Sequence, residues 1–238
     1  MIATYVSGPV SAAVDFVAYK AITTISDAEI DGTIGTEWDD AGHLTGVAID
    51  PQGTAEVWTK HDETSLYIAI NFTADSNDPW VGIQLGGTDC MDADIDLALF
   101  GDNNYAADGY KDMYFTAGYG VAEDTVQDGV GAITAVGNVI TIELKKPLNS
   151  GDEKDNAWSV GDTYKLIIDW DSDGGGNSGD GSANHRAGGP IVNNIYINPD
   201  EIPEFPGLML VVVLIAVLIP VILFTRKMRP RVSASRKL

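Results

Sequence analysis

The most informative spacing in the chain belongs to Asp169, Asp171, Asp173, Asn177 and Asp180. Their side-chain oxygens fall at positions 1, 3, 5, 9 and 12 of a twelve-residue stretch, with Gly174 at position 6. A hard cation such as Ca²⁺ takes about six to eight oxygens from a tightly curled backbone, and glycine at the sixth position permits the curl. The spacing therefore predicts calcium ligation by these five side chains. The competing reading is a solvated Asp/Gly turn in a very acidic protein. A metal would also keep a Gly-rich loop of this length ordered, since loops beyond ~12–15 residues rarely lack a function.

Other residue types point to binding rather than to covalent chemistry. Trp38, Trp58, Trp80, Trp158 and Trp170 could each offer a ring face to a sugar, or fill a core, and sequence does not separate the two uses. Carboxylate pairs abound simply because the chain holds 35 Asp and Glu. No nucleophile elbow or zinc motif accompanies them, and His43 and His61 are isolated, so the expectation is that the chain is not itself an enzyme. Cys90 is the only cysteine. It can form no internal disulfide, and without Cys-x-x-Cys-His covalent haem is excluded.

The C-terminus sets the location. Gly207 to Phe224 carries no charge and is mostly Val, Leu and Ile. At ~1.5 Å per residue this run matches a bilayer's hydrocarbon thickness, and Pro220 is tolerable inside a lipid-buried helix. Arg226, Lys227, Arg229, Arg231, Arg236 and Lys237 follow, which predicts a cytoplasmic tail and an outside location for everything before the span. Residues 1–206 then hold all thirty-five acids and eight Lys or Arg, a formal charge of −27. Such a domain repels nucleic acid and anionic lipid. Met1–Lys20 has neither a basic n-region nor a continuous apolar stretch, so the expectation is that a signal was removed or trimmed, rather than that the start is misassigned.

The elements that must position these residues read as strands. Gly53–Lys60 and Ser65–Thr73 form a hairpin across His61-Asp62-Glu63-Thr64. In the second run Leu66, Ile68, Ile70 and Phe72 face one way, and Tyr67, Ala69 and Asn71 the other. Further runs are Trp80–Leu85, Ala93–Phe100, Asp112–Ala117, Ala132–Val136, Val139–Leu144, Tyr164–Trp170 and Ile191–Ile197. Gly137-Asn138 makes a two-residue hairpin turn. Only Thr36–Ala41 reads as a brief helix. The predicted fold is all-β: an antiparallel β-sandwich followed by one C-terminal transmembrane helix. The expected organisation is an N-terminal segment 1–19 (signal remnant or leading strand), a sandwich over 20–198, a Pro-rich stalk over 199–206, a span over 207–225 and a tail over 226–238.

Several stretches resemble known families. Ile202-Pro203-Glu204-Phe205-Pro206 before the apolar run resembles the PEF-type sorting signal of archaeal surface proteins. That implies an archaeal cell surface, with the span either retained or cleaved by a sortase-like peptidase and replaced by a lipid. Residues 169–180 resemble the calcium loop of EF-hand and dockerin proteins, although Asp180 stands where the EF-hand has Glu and a strand precedes the loop. Asp31-Gly32, Glu37-Trp38 and Ala41, with Ser65–Ile70, resemble the start of family 9 carbohydrate-binding modules. Trp80–Ile83, Met91 with Asp94, and Pro147–Asp152 are similar to the DOMON superfamily. In its cytochrome-type members a Met and a His hold haem b. The resemblance implies Met91 and His185 for those roles, as a low-spin electron-transfer centre. It equally allows Met91 as core filler and His185 as an ordinary loop residue. Asn71-Phe72-Thr73 is a glycosylation sequon placed in a strand.

Together these readings predict a membrane-anchored surface domain with a structural calcium loop. Its expected task is extracellular electron transfer through non-covalent haem b with a redox partner. The alternatives are a carbohydrate- or surface-polymer-binding module without redox activity, and a structural surface-layer or filament component.

Overall fold

The computed structural model describes residues 15–49, 54–74, 80–86, 95–101, 109–116, 120–171 and 192–201. The first of its strands are β1 (Asp15–Lys20), β2 (Gly42–Ala48), β3 (Thr54–His61), β4 (Ser65–Thr73), β5 (Trp80–Gly86) and β6 (Ile95–Gly101). They are followed by β7 (Gly109–Thr116), β8 (Gly120–Glu123), β9 (Val130–Val136), β10 (Val139–Pro147), β11 (Thr163–Asp171) and β12 (Val192–Glu201). The only helical pieces among the described residues are single 3₁₀ turns at Asp27–Glu29 and Thr36–Trp38. None of the described helices is long and apolar enough to cross a membrane.

The ladder runs β8-β7-β6-β5-β11-β12-β1-β3-β4-β10-β9, with β2 added to β3. It folds into two layers at β1. Asp15 to Ala18 and, after a register shift, Lys20 pair with β12, while Tyr19 and Lys20 pair with β3 on the other side. Both of these pairings are parallel, whereas all the others are antiparallel. At the far side β7 approaches β9, so the layers meet again there.

Side-chain alternation explains the core. Val57 of β3, Leu66, Ile68, Ile70 and Phe72 of β4, and Ile140, Ile142 and Leu144 of β10 form the inner face of one layer. Val81, Ile83 and Leu85 of β5, Leu166 and Ile168 of β11, and Ile195 and Ile197 of β12 form the other. Each fully buried aliphatic side chain contributes ~1.5–3 kcal/mol.

The second face of β4 is buried as well. Tyr67 and Ala69 pack under Ile25, Ile30, Trp38 and Ala41. The segment joining β1 to β2 therefore lies across the outside of the β3-β4-β10 layer and makes a small second core.

The two expected hairpins form, with His61 in β3 rather than in the turn and β9 beginning at Val130. Gly137 takes φ +62°, as a tight β9–β10 turn requires. Glu63 takes φ +71° in the β3–β4 turn. Asp62 supports that turn by accepting from the amides of Thr64 and Ser65 at 3.0 and 2.7 Å.

Candidate functional site

Two buried charges hold the β1–β2 segment in place. Glu143 of β10 would point to solvent on a bare sheet, yet it is fully buried. Its carboxylate accepts from Trp38 Nε1 at 2.6 Å and from the amides of Asp31 and Gly32 at 2.8 and 2.7 Å. Burial pushes Glu143 up from the ordinary carboxylate range and outweighs the pull of these donors. Lys60 of β3 is likewise fully buried. Its ammonium donates to the carbonyls of Thr23 and Glu37 at 3.0 and 2.5 Å and to Asp40 Oδ1 at 2.6 Å. Asp31, Gly32, Glu37 and Trp38, the residues of the conspicuous opening motif, thus serve to lock this segment onto the sheet.

Beyond the edge of that segment the outer face stays accessible. His43 of β2 sits opposite Trp58 of β3. Their rings stack with centroids 4.3 Å apart and planes inclined by 5°. Trp58 is half-buried against the small second core, while the exposed imidazole forms the outer layer of the ledge. Glu56, two residues before Trp58 and on its face, brings Oε2 to 3.3 Å from His43 Nε2. Asn71 of β4 is paired with Glu56, and Thr141 of β10 with Asn71. Asn71 Nδ2 donates to Thr141 Oγ1 at 3.1 Å. An aromatic ledge therefore borders a row of half-exposed hydrogen-bonding groups on the outer face of the sheet.

A different group of charges lies where β7 meets β9. Inward-pointing Asp112 of β7 pairs with inward-pointing Lys146 of β10 at 2.8 Å, and both are buried. Asp155, from the β10–β11 connection, brings Oδ1 to 3.4 Å from the same ammonium. Asp128, from the β8–β9 connection, completes a trio whose ligand oxygens all lie within 4.8 Å of one another. Burial first, and the Asp155 carboxylate second, push Asp128 up to about 7.

The expected metal and haem residues lie mostly outside the described residues. Asp169 and Asp171 are the last part of β11, opposite Gly82 and Trp80 of β5. Asp173, Asn177, Asp180, Met91 and His185 lie outside the described residues, as does the expected span over 207–225. Of the five tryptophans, Trp38 is spent on Glu143 and Trp158 is core. Trp80 packs against Leu97, Met113 and Phe115. His61 is structural: Nδ1 accepts from the Glu63 amide at 3.1 Å, so Nε2 carries the proton it donates to Asn198 O at 2.7 Å. Sequence reading missed Asp112, Asp128, Asp155, Lys146, Glu143 and Lys60. Only the Asp31–Trp38 motif signalled any of them.

No family model matches the chain, and no curated relative does. Among solved structures it is similar to a family 9 carbohydrate-binding module from Caldicellulosiruptor kristjanssonii in complex with cellotriose. That likeness has 11% identity and a TM-score of 0.46, and it covers 78% of this chain and 94% of the module. The same kind of module in complex with glucose gives 11% identity, 81% and 100% coverage and a TM-score of 0.45. A candidate carbohydrate-binding protein from Bacteroides uniformis gives 7% identity, 77% and 91% coverage and a TM-score of 0.45.

Proposed function

We propose that the β-sandwich is a non-catalytic carbohydrate-binding module displayed at a cell surface, with the outer face around His43, Trp58, Glu56, Asn71 and Thr141 as its binding surface. The observation that supports this most is the stacked His43–Trp58 ledge beside a row of polar side chains. A pyranose has an apolar C–H face and a rim of hydroxyls. The first packs on a ring, and the second needs fixed donors and acceptors close by. Glu56 supplies an acceptor, and Thr141, which accepts from Asn71, keeps its own hydroxyl proton to donate. Nothing in this arrangement pairs an acid with a nucleophile.

In this reading the apolar run over 207–224 anchors the module to the membrane with its basic tail inside, and residues 169–180 bind calcium structurally. The test is affinity electrophoresis of the full chain in detergent through gels containing soluble polysaccharides, alongside an absorbance spectrum with and without dithionite. Retardation by at least one polysaccharide is expected. No retardation in any gel, together with a Soret band after haem reconstitution, would replace the proposal with a haem site at Met91 and His185.

A further inference from the structure

The trio at the β7–β9 seam carries an imbalance that the fold does not resolve. Asp112 is fully buried and the Asp155 side chain is 5% exposed. One oxygen of Asp112, one of Asp155 and both of Asp128 are shut off from solvent without a hydrogen-bond partner. Buried carboxylate oxygens without donors are costly, and native proteins rarely leave several together. Lys146 is the only cation paired with them among the described residues. With all three ionised, the group holds two more negative than positive charges.

The surroundings place these oxygens firmly. The Gln127 side chain clamps the β8–β9 connection to β7. Its Oε1 accepts from the Asp112 amide at 2.8 Å, while its Nε2 donates to the carbonyls of Asp112 and Asp124 at 3.0 and 2.8 Å. Asp128 follows directly. The loop carrying Asp155 is closed by the Trp158 amide donating to Leu148 O at 2.6 Å, with Trp158 sunk in the core. Three separate elements thus deliver carboxylates to one point, and each is pinned by contacts that do not involve a ligand.

We infer that Asp112, Asp128 and Asp155 bind one divalent cation, Ca²⁺ by preference, which bridges the seam where the two layers meet. A doubly charged ion cancels the excess charge and takes one oxygen from each of the three carboxylates. Oxygens bound ~2.4 Å from one calcium can be at most about 4.8 Å apart, which is the limit within which the trio already lies. The three carboxylates share no residue with the expected calcium ligands between 169 and 180 or with the proposed sugar face. Its role would be to close the sandwich.

The test uses the full chain in detergent at pH 7.5, stripped with EGTA and then titrated with Ca²⁺ or Mg²⁺, with melting temperature and calorimetric stoichiometry as readouts. Asp173→Asn serves as the background that disables the other expected calcium loop. In that background Ca²⁺ is expected to raise the melting temperature with one site, more strongly than Mg²⁺. Adding Asp128→Asn or Asp155→Asn should weaken Ca²⁺ binding at least tenfold, without unfolding the apo protein. An Asp173→Asn protein indifferent to both ions would overturn the inference. So would tenfold-unchanged affinity in both double variants, or a melting temperature that responds to pH alone. The last outcome would show the trio to be a carboxylate pair sharing a proton.

Discussion

A single ammonium does much of the work of fastening the β1–β2 segment. Lys60 neutralises Asp40 and satisfies two carbonyls of a segment that has almost no regular structure of its own. Lys60→Met keeps most of the stem's packing but strands Asp40 and both carbonyls. Removing one partner of a buried pair costs about 3–5 kcal/mol, and a loss of that size in chemical denaturation is expected. Asp40 supplies the acid counterpart. Burial pushes its carboxyl up, but Lys60 and the amides of Thr23 and Ile22 outweigh that and hold it below its ordinary 3.8. A lowered folded value means stability that is present above pH 3.8 and lost as pH falls through the folded value. Denaturation midpoints between pH 5 and pH 2 should therefore drop more steeply in wild type than in Asp40→Asn. Equal slopes would remove this ion pair from the account.

At the scale of elements, the segment from Ala21 to Ala41 turns a two-layer sandwich into one with a partly covered outer face. Its approach is close enough to need glycine at position 32. There φ is +82°, and an added Cβ would lie 2.5 Å from Thr134 Cγ2. Gly32→Ala should cost ~1–2 kcal/mol for the left-handed backbone alone, and more from the clash. Thr134→Ser deletes the offending methyl and keeps the hydroxyl that donates to Gly32 O at 2.6 Å. The double variant should recover part of the loss in urea unfolding, and a neutral Gly32→Ala would show that the segment is not held so tightly.

The sequence displayed some of this and hid the rest. The alternation in Ser65–Thr73 and the Gly137-Asn138 turn were legible because period-two patterning and turn chemistry are local. β2 was not legible: Gly42, Thr45 and Gly46 interrupt its pattern, and a bulge between Leu44 and Val47 breaks its register. β8 is only four residues long. Nothing local around Lys60 or Glu143 reveals that another segment covers them. Asp112, Asp128 and Asp155 are far apart in sequence and hidden among 35 acids, so only the fold shows that they converge.

Across the whole molecule, the charge is strongly negative. A formal −27 over residues 1–206 makes the compact state repel itself. Raising salt from 0.1 M to 1 M shortens the screening length from about 10 to 3 Å. The melting temperature should rise over that range, and a fall would mean that attractive pairs dominate. Truncation after Pro206 should release a soluble protein, while the full chain stays with membranes through a carbonate wash. Release of the full chain by carbonate would contradict the proposed anchor. The same acidity makes an uncharged glycan a better partner for the proposed binding face than an anionic one, and the deciding measurement is made at that face. Calorimetric titration of the full chain with oligosaccharides from the polymer that retards it should saturate at one site. His43→Ala and Glu56→Gln should each weaken that binding roughly fivefold or more, about 1 kcal/mol, with melting unchanged. Wild-type affinity in both folded variants would place the binding surface elsewhere and contradict the account.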